Sequence, residues 1–217
     1  MKDATHIAVL LDRSGSMGAV KAETISGFNY FLKEQKAAGD NASFTLVQFD
    51  SESTDVVHEA KPVRAVPDLN EDTYQPRGST PLLDALGQTI NSTGRTLAAI
   101  PETNRPDKVV FVVITDGEEN ASHRFTKQQV KQMIDHQTEQ YNWQFVFLGA
   151  NQDAFAEAGA VGIAMAQAAN YSPARTDRAF ACTSANVAEY RRTARASSLE
   201  YSDEQRGRMV EEDKDEA

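Results

Sequence analysis

The apolar run 108–115 constrains the fold of this chain more than any other segment. Its six central residues are all apolar, so a strand here must be covered on both faces, as in the middle of a parallel sheet. Similar runs at 6–11, 44–49 and 143–148 are separated by segments whose apolar residues recur at helical spacing. This alternation predicts an α/β fold with a doubly wound, mostly parallel central sheet and helices on both faces.

The remaining elements follow from weaker patterns. The partly polar run 54–60 reads as an antiparallel edge strand that forms a hairpin with 44–49, and 161–164 reads as a weak strand. Helices are predicted over 18–36, from Pro81, from a capping box at Thr126, from Asn151 (a short one) and from Ser172 (a long one). The proline-containing stretch 62–77 is expected to be a loop.

Composition limits the class of protein. With 217 residues, 40% hydrophobic and 25% charged, the chain fits one globular domain, which we place at 1–199. Residues 200–217 carry eight acidic and three basic side chains, so we predict an acidic, disordered tail there. The overall net charge of −10 argues against binding to nucleic acid or to anionic membranes.

The first strand follows the start of the sequence directly, so we expect no signal peptide. Cys182 is the single cysteine and has no partner for an internal disulfide. The apolar runs also fall short of the roughly 20 residues that a membrane helix needs. Together these features predict a cytoplasmic protein.

Oxygen-bearing side chains follow the two central strands. Asp12, Ser14 and Ser16 come directly after the first strand, and Asp116 follows the run 108–115. Thr80 stands just before a predicted helix. If the two strands are neighbours, all five side chains meet at the carboxyl edge of the sheet, where open α/β sheets bind ligands. Carboxylate and hydroxyl oxygens suit Mg²⁺, with Mn²⁺ as the alternative.

The segments Asp12–Ser16, Gly78–Pro81 and Thr115–Gly117 resemble, in this order, the metal-ion-dependent adhesion site (MIDAS) of von Willebrand factor type A domains. The likeness extends over about residues 4–196. It implies that Ser14 and Ser16 bind the ion directly, that Thr80 and Asp116 bind it directly or through water, and that Asp12 anchors the arrangement. No donor of this set is missing, so the resemblance implies an intact site.

The resemblance also implies a non-enzymatic function. In this family an acidic side chain of a partner protein completes the coordination of the metal. Intracellular bacterial and phage-type relatives work beside ring-forming ATPases or in stress and phage-related systems, so partners of that kind are expected. Glu52, Asp55, Glu118 and Glu119 form a predicted acidic rim, and we expect Arg13 to pair either with the partner or with this rim.

Two other functions remain open from the sequence. The first is a Mg²⁺-dependent phosphohydrolase with Asp12 as its nucleophile, although Ser14 stands where a second aspartate would be expected. The second is an adhesin exported without a cleavable signal. Taken singly, each segment also fits a turn or a helix cap. The four histidines share no ligand spacing, and we expect them and Cys182 to be structural or exposed.

Overall fold

The computed structural model describes residues 3–150 and 153–210. Its sheet has six strands in the order β3-β2-β1-β4-β5-β6. The strands are β1 (Thr5–Asp12), β2 (Ala42–Phe49), β3 (Thr54–Pro62), β4 (Lys108–Thr115), β5 (Gln144–Ala150) and β6 (Ala168–Tyr171). Every neighbouring pair is parallel except β2 and β3, which form the antiparallel hairpin at one edge. The predicted doubly wound sheet and its antiparallel edge strand are therefore confirmed.

Helices cover both faces of the sheet. They are α1 (Lys21–Ala37), α2 (Leu82–Ala98), α3 (Lys127–Tyr141), α4 (Ala154–Ala160), α5 (Thr176–Thr193) and α6 (Asp203–Val210). Helices α1, α5 and α6 contribute to one hydrophobic core, whereas α2, α3 and α4 contribute to the other. Successive residues of β1 alternate between the two, with Ile7 in the first core and Ala8 in the second, as expected for a strand buried on both faces. The part of the chain described here has no helix that combines the length and apolar composition of a membrane span.

The sixth strand lies elsewhere than the sequence indicates. We predicted it at 161–164, but β6 is Ala168–Tyr171. Val161 and Ile163 are buried because they close the end of α4, where the Ile163 amide donates to the Ala158 carbonyl and Gly162 has φ +87°. An apolar contact after a glycine is typical of a helix C-terminus. Asn151, where the sequence places the start of α4, lies outside the described residues.

The predicted disordered tail is wrong for its described part. Residues 203–210 form α6, and Tyr201 and Met209 are buried against the rest of the domain. The many charges around these apolar residues lie on the solvent side of a helix and mask its amphipathic character. The folded unit therefore extends to Val210 at least, beyond the predicted boundary at 199, while 211–217 lie outside the described residues.

Candidate metal-binding site

The carboxyl edge of the sheet brings together the loops that the sequence singles out. Strands β1 and β4 are parallel neighbours, with Leu11 paired to Ile114, so Asp12 and Asp116 leave the sheet side by side. The loop after β1 (the first loop) is joined to the loop before α2 (the second loop) by two backbone hydrogen bonds. The Gly15 amide donates to the Gly78 carbonyl (3.0 Å), and the Arg77 amide donates to the Arg13 carbonyl (2.8 Å). These bonds hold the first and second loops together independently of any side chain.

Asp12 is fully buried at the base of the site. Its Oδ1 accepts from the Ser14 amide (2.6 Å), and its Oδ2 accepts from the Thr115 hydroxyl (2.6 Å). Burial is the main cause that raises the pKa of Asp12 from 3.8 to about 6. The hydrogen bonds from Thr115 and Ser14 lower this pKa, and the nearby Asp116 carboxylate raises it. Both carboxylate oxygens are thus held in place by neutral donors.

Hydroxyl groups connect the first loop to Asp116. The Ser14 and Ser16 hydroxyl oxygens lie 3.1 Å apart, and the Ser16 hydroxyl donates to Asp116 Oδ1 (2.6 Å). Asp116 is mostly buried, and burial raises its pKa. Side chains from two separate loops therefore place three oxygen atoms within one small volume.

Thr80 completes the group from the second loop. Its amide donates to the Asn120 side-chain oxygen (3.0 Å), and its carbonyl accepts from the Asn120 amide (3.2 Å), which ties it to the loop after β4. A Cβ atom on Gly117 would lie 2.8 Å from Thr80 Oγ1 and 3.6 Å from Ser16 Oγ. A side chain at position 117 would therefore collide with the Thr80 hydroxyl. All five candidate side chains converge at this edge.

The donor set fits a divalent cation. Among the described residues, no lysine or arginine forms a salt bridge with Asp12 or Asp116, although both carboxylates are buried. Two buried carboxylates without a cation are costly, and a bound metal ion would supply the missing charge. Residues 3–150 and 153–210 contain no group of three or more His, Cys, Asp or Glu side chains arranged as metal ligands. A cation here would therefore depend on the hydroxyls as well as on the two aspartates.

Arg13 points away from the candidate ligands. Its Nε donates to Asp50 (2.7 Å) and its Nη2 to Asp55 (2.7 Å), and the residue is mostly buried. The sequence analysis expected Arg13 to pair either with a partner protein or with the acidic rim. In the structure Arg13 pairs with the rim residue Asp55. Asp50 also accepts from Arg77 Nε (3.0 Å) and from the amides of Glu52 and Ser53. Sequence reasoning missed this buried carboxylate, because the two arginines that neutralise it lie far away in the chain.

Two further acidic residues organise the second loop. Glu119 was expected on a solvated rim, but its carboxylate accepts from the amides of Leu83, Ala121 and Ser122. Asp84, in the first turn of α2, accepts from three successive amides of the 123–125 segment. These bonds fix the start of α2 against the loop that carries Asp116. Of the adjacent residues Glu118 and Glu119, only Glu118 is exposed.

Other residues that the sequence analysis set aside lie away from the site or support it. His6 is buried, which lowers its pKa to about 4, and Cys182 is half-buried within α5. Tyr74, from the 62–77 loop, was not predicted to matter. Its buried hydroxyl donates to the Asp12 carbonyl (2.6 Å), so the 62–77 loop supports the start of the loop that carries Ser14 and Ser16.

Known structures share this architecture. A proximal thread matrix protein 1 (PTMP1) from the mussel byssus superposes with a TM-score of 0.60 at 13% identity, covering 82% of this chain and 46% of that one. The vWF domain of the type V pili tip protein Mfa5 from Porphyromonas gingivalis superposes with a TM-score of 0.57 at 10% identity, covering 88% and 96%. Another PTMP1 structure, with a TM-score of 0.58 at 15% identity over 82% and 46%, has zinc in its MIDAS motif.

This chain thus spans about half the length of the PTMP1 chains. At these identities the likeness shows a common fold. No curated protein matches the sequence. The model of the von Willebrand factor type A domain matches residues 6–181, which is most of the chain. The chain therefore belongs to the von Willebrand factor type A domain family.

Proposed function

We propose that this domain is a metal-dependent protein-binding module without catalytic activity. Asp12, Ser14, Ser16, Thr80 and Asp116 would hold a divalent cation, and a Glu or Asp side chain of a partner would bind to that cation. The observation that carries the proposal is the contact chain Ser14–Ser16–Asp116 above the buried Asp12. It gathers oxygen atoms at one point, and no lysine or arginine in the described part of the chain forms a salt bridge with either buried aspartate.

The balance of charges favours an acidic partner. Only two of the five donors are carboxylates, and three are neutral hydroxyls, so a doubly charged cation would not be surrounded by excess negative charge. A partner carboxylate gains from a charge-assisted contact with such a cation. Arg13 and Arg77 also neutralise part of the acidic rim, through Asp55 and Glu52 respectively.

Mg²⁺ fits these hard oxygen donors best, and Mn²⁺ is the alternative. Zinc should be tested beside these two ions, because one structurally similar protein has zinc in its MIDAS motif. The proposal extends to a cytoplasmic setting of bacterial or phage type. There, partners such as ring-forming ATPases or components of stress and phage systems would present the acidic side chain, and neither nucleic acid nor membrane would be bound.

Two features weigh against the alternative of a phosphohydrolase with Asp12 as nucleophile. Asp12 is fully buried, and each of its carboxylate oxygens already accepts a short hydrogen bond. A nucleophile needs an exposed oxygen aligned with the phosphorus atom. Ser14 also stands where a second acidic group would be needed to protonate the leaving group.

The metal site is tested by calorimetric titration with Mg²⁺, Mn²⁺ and Zn²⁺. We expect one site per chain, lost in Ser14→Ala and retained in the matched control Ser197→Ala, which changes an exposed serine outside the site. Absence of binding in the unaltered chain would refute the proposal. So would Mg²⁺-dependent hydrolysis of p-nitrophenyl phosphate that disappears in Asp12→Asn.

The open coordination position is tested with Mn²⁺-loaded protein. Water exchanging at the metal enhances the proton relaxation rate, and a ligand that replaces this water lowers the enhancement. We expect the peptide acetyl-Gly-Glu-Gly-amide, whose only carboxylate is the glutamate side chain, to lower it and acetyl-Gly-Gln-Gly-amide, which has no carboxylate, to leave it unchanged. Equal effects of the two peptides would contradict recognition of a carboxylate.

A further inference from the structure

A cleft of about 420 Å³ lies at the amino edge of the sheet, opposite the candidate metal site. It opens between the last turns of α2 and α3, beside the residues that lead into β4. The eight residues of β4 separate the two edges, which corresponds to about 25 Å. The volume falls within the range of small-molecule sites, so the cleft can hold a ligand of its own.

The inner wall of the cleft is apolar and aromatic. Ile90, Leu97 and Val109 line it, and all three are buried. Trp143 also lines it, and its indole stacks on the Phe111 ring with 5.4 Å between the ring centres. This wall therefore offers a rigid apolar surface to a flat ligand.

Gly94 keeps the cleft open. It lies in the interior of α2, where glycine is less favourable than alanine. Gly87 in the same helix is explained by packing, because a Cβ atom there would lie 2.6 Å from the Phe125 ring. A Cβ atom on Gly94 would meet no atom closer than 4.0 Å, and that atom belongs to Trp143. A larger side chain at 94 would therefore extend over Trp143 and fill the cleft.

The rim of the cleft carries more positive than negative charge, although the whole chain has a net charge of −10. Arg95 is exposed, and among the described residues its guanidinium has no hydrogen bond or salt bridge. Arg105 donates to two carbonyls near the end of α2, which fixes its guanidinium beside the cleft. Asp107 is the one carboxylate among the described lining residues, and it accepts from the Asp3 amide (2.6 Å). Two guanidinium groups and one carboxylate favour an anionic ligand.

We propose that this cleft binds a small aromatic carboxylate. The aromatic ring would lie against Trp143, and the carboxylate would accept two parallel hydrogen bonds from the Arg95 guanidinium. Tyr141, which is 60% exposed at the mouth of the cleft, adds apolar surface on the outer side. This binding needs no metal ion and is separate from the proposed function.

The test follows the indole N–H signal of Trp143 by NMR of the full ¹⁵N-labelled chain. Trp143 is the single tryptophan, so this signal reports directly on the cleft. The chain is titrated in EDTA with 2-naphthoate, because removal of metal ions prevents a carboxylate from binding at the candidate metal site. We expect a saturable shift, and we expect the neutral analogue 2-naphthamide to bind about 10-fold more weakly.

Two variants test the two parts of the site separately. Arg95→Gln should weaken binding of 2-naphthoate about 10-fold and leave binding of 2-naphthamide unchanged. Gly94→Leu should abolish binding of both compounds, because its side chain fills the space beside Trp143. The matched control is Arg124→Gln, which removes an exposed arginine near the start of α2 and should bind both compounds as the unaltered chain does.

Absence of a Trp143 shift with 2-naphthoate would overturn the inference. So would equal affinities for 2-naphthoate and 2-naphthamide, or an unchanged shift in a Gly94→Leu variant that keeps dispersed amide signals. If Gly94→Leu does not fold, Arg95→Gln and its control decide the question. Because no metal is present, failure here leaves the proposed function standing, and failure of metal binding leaves this inference standing.

Discussion

Asp12 and Asp50 are two buried aspartates at the same edge of the sheet, and they have opposite surroundings. Asp12 ends β1 and Asp50 follows β2, and neither is more than 2% exposed. Asp50 contacts two arginines and two amides, and these hydrogen bonds and charges outweigh its burial, so its pKa is lowered. Asp12 contacts one amide and one hydroxyl, and its pKa is raised to about 6.

The difference separates a structural carboxylate from one that is available for a ligand. The charge of Asp50 is neutralised within the protein, and its four hydrogen bonds tie the β2–β3 turn to Arg13 and Arg77. Asp12 is held by two hydrogen bonds, and within 3–150 and 153–210 no lysine or arginine forms a salt bridge with it. A site that takes up a metal needs the second arrangement, because charge that the protein already neutralises has little to gain from an ion.

The largest expected effect is on the structural carboxylate. Asp50→Asn leaves Arg13 buried beside a neutral side chain, and breaking a buried ion pair costs on the order of 3 kcal/mol. We expect the free energy of unfolding, measured by urea denaturation in the presence of EDTA, to fall by about that amount.

The matched control is Asp55→Asn. Asp55 also pairs with Arg13, but its side chain is 48% exposed, so we expect a loss below about 1 kcal/mol. Equal losses in the two variants would show that Asp50 is not the centre of this network.

The second effect concerns Asp12, whose pKa is shifted in the opposite direction to that of Asp50. Its folded pKa of about 6 lies above the unfolded value of 3.8, so the metal-free protein should lose stability as the pH rises through this window. The shift corresponds to about 3 kcal/mol for the fully ionised group, before contributions from other titrating residues. Urea denaturation between these pH values, in EDTA, measures it.

Asp12→Asn removes the ionisation and should flatten this part of the pH profile. Mg²⁺ in excess should restore the stability of the unaltered protein at high pH and leave the variant unaffected. A profile that falls equally steeply in the variant would assign the pH dependence to other groups.

The smallest effect is on metal affinity through a residue that need not touch the metal. Thr115→Val keeps the shape of the side chain but removes the hydroxyl that donates to Asp12 Oδ2. Loss of such a supporting hydrogen bond typically lowers metal affinity about 10- to 100-fold. Calorimetric titration with Mg²⁺ or Mn²⁺ measures the change.

Thr89→Val is the control for that substitution. Thr89 is also buried, and its hydroxyl has no hydrogen-bond partner among the described residues. The same chemical change there should leave the affinity for the metal unchanged. A comparable loss in both variants would indicate a general effect of the substitution on the fold.

Local pattern was enough to predict most of the sheet. The apolar run of β4 and the shorter run of β1 identify buried parallel strands, and the loops that follow them can be located without a structure. Strand β6 was misplaced because its sequence, Ala-Ala-Asn-Tyr, lacks the branched side chains that mark strands. Helix α6 was missed because its few buried residues stand among many charges.

The sequence by itself determined which side chains can meet at the carboxyl edge, since strand direction and periodicity follow from neighbouring residues along the chain. Only the tertiary structure decided how each carboxylate there is used. The arginines that neutralise Asp50 come from two other loops, and the hydroxyl that holds Asp12 comes from β4. Electrostatic environment depends on distances in space, and residues far apart in sequence set those distances.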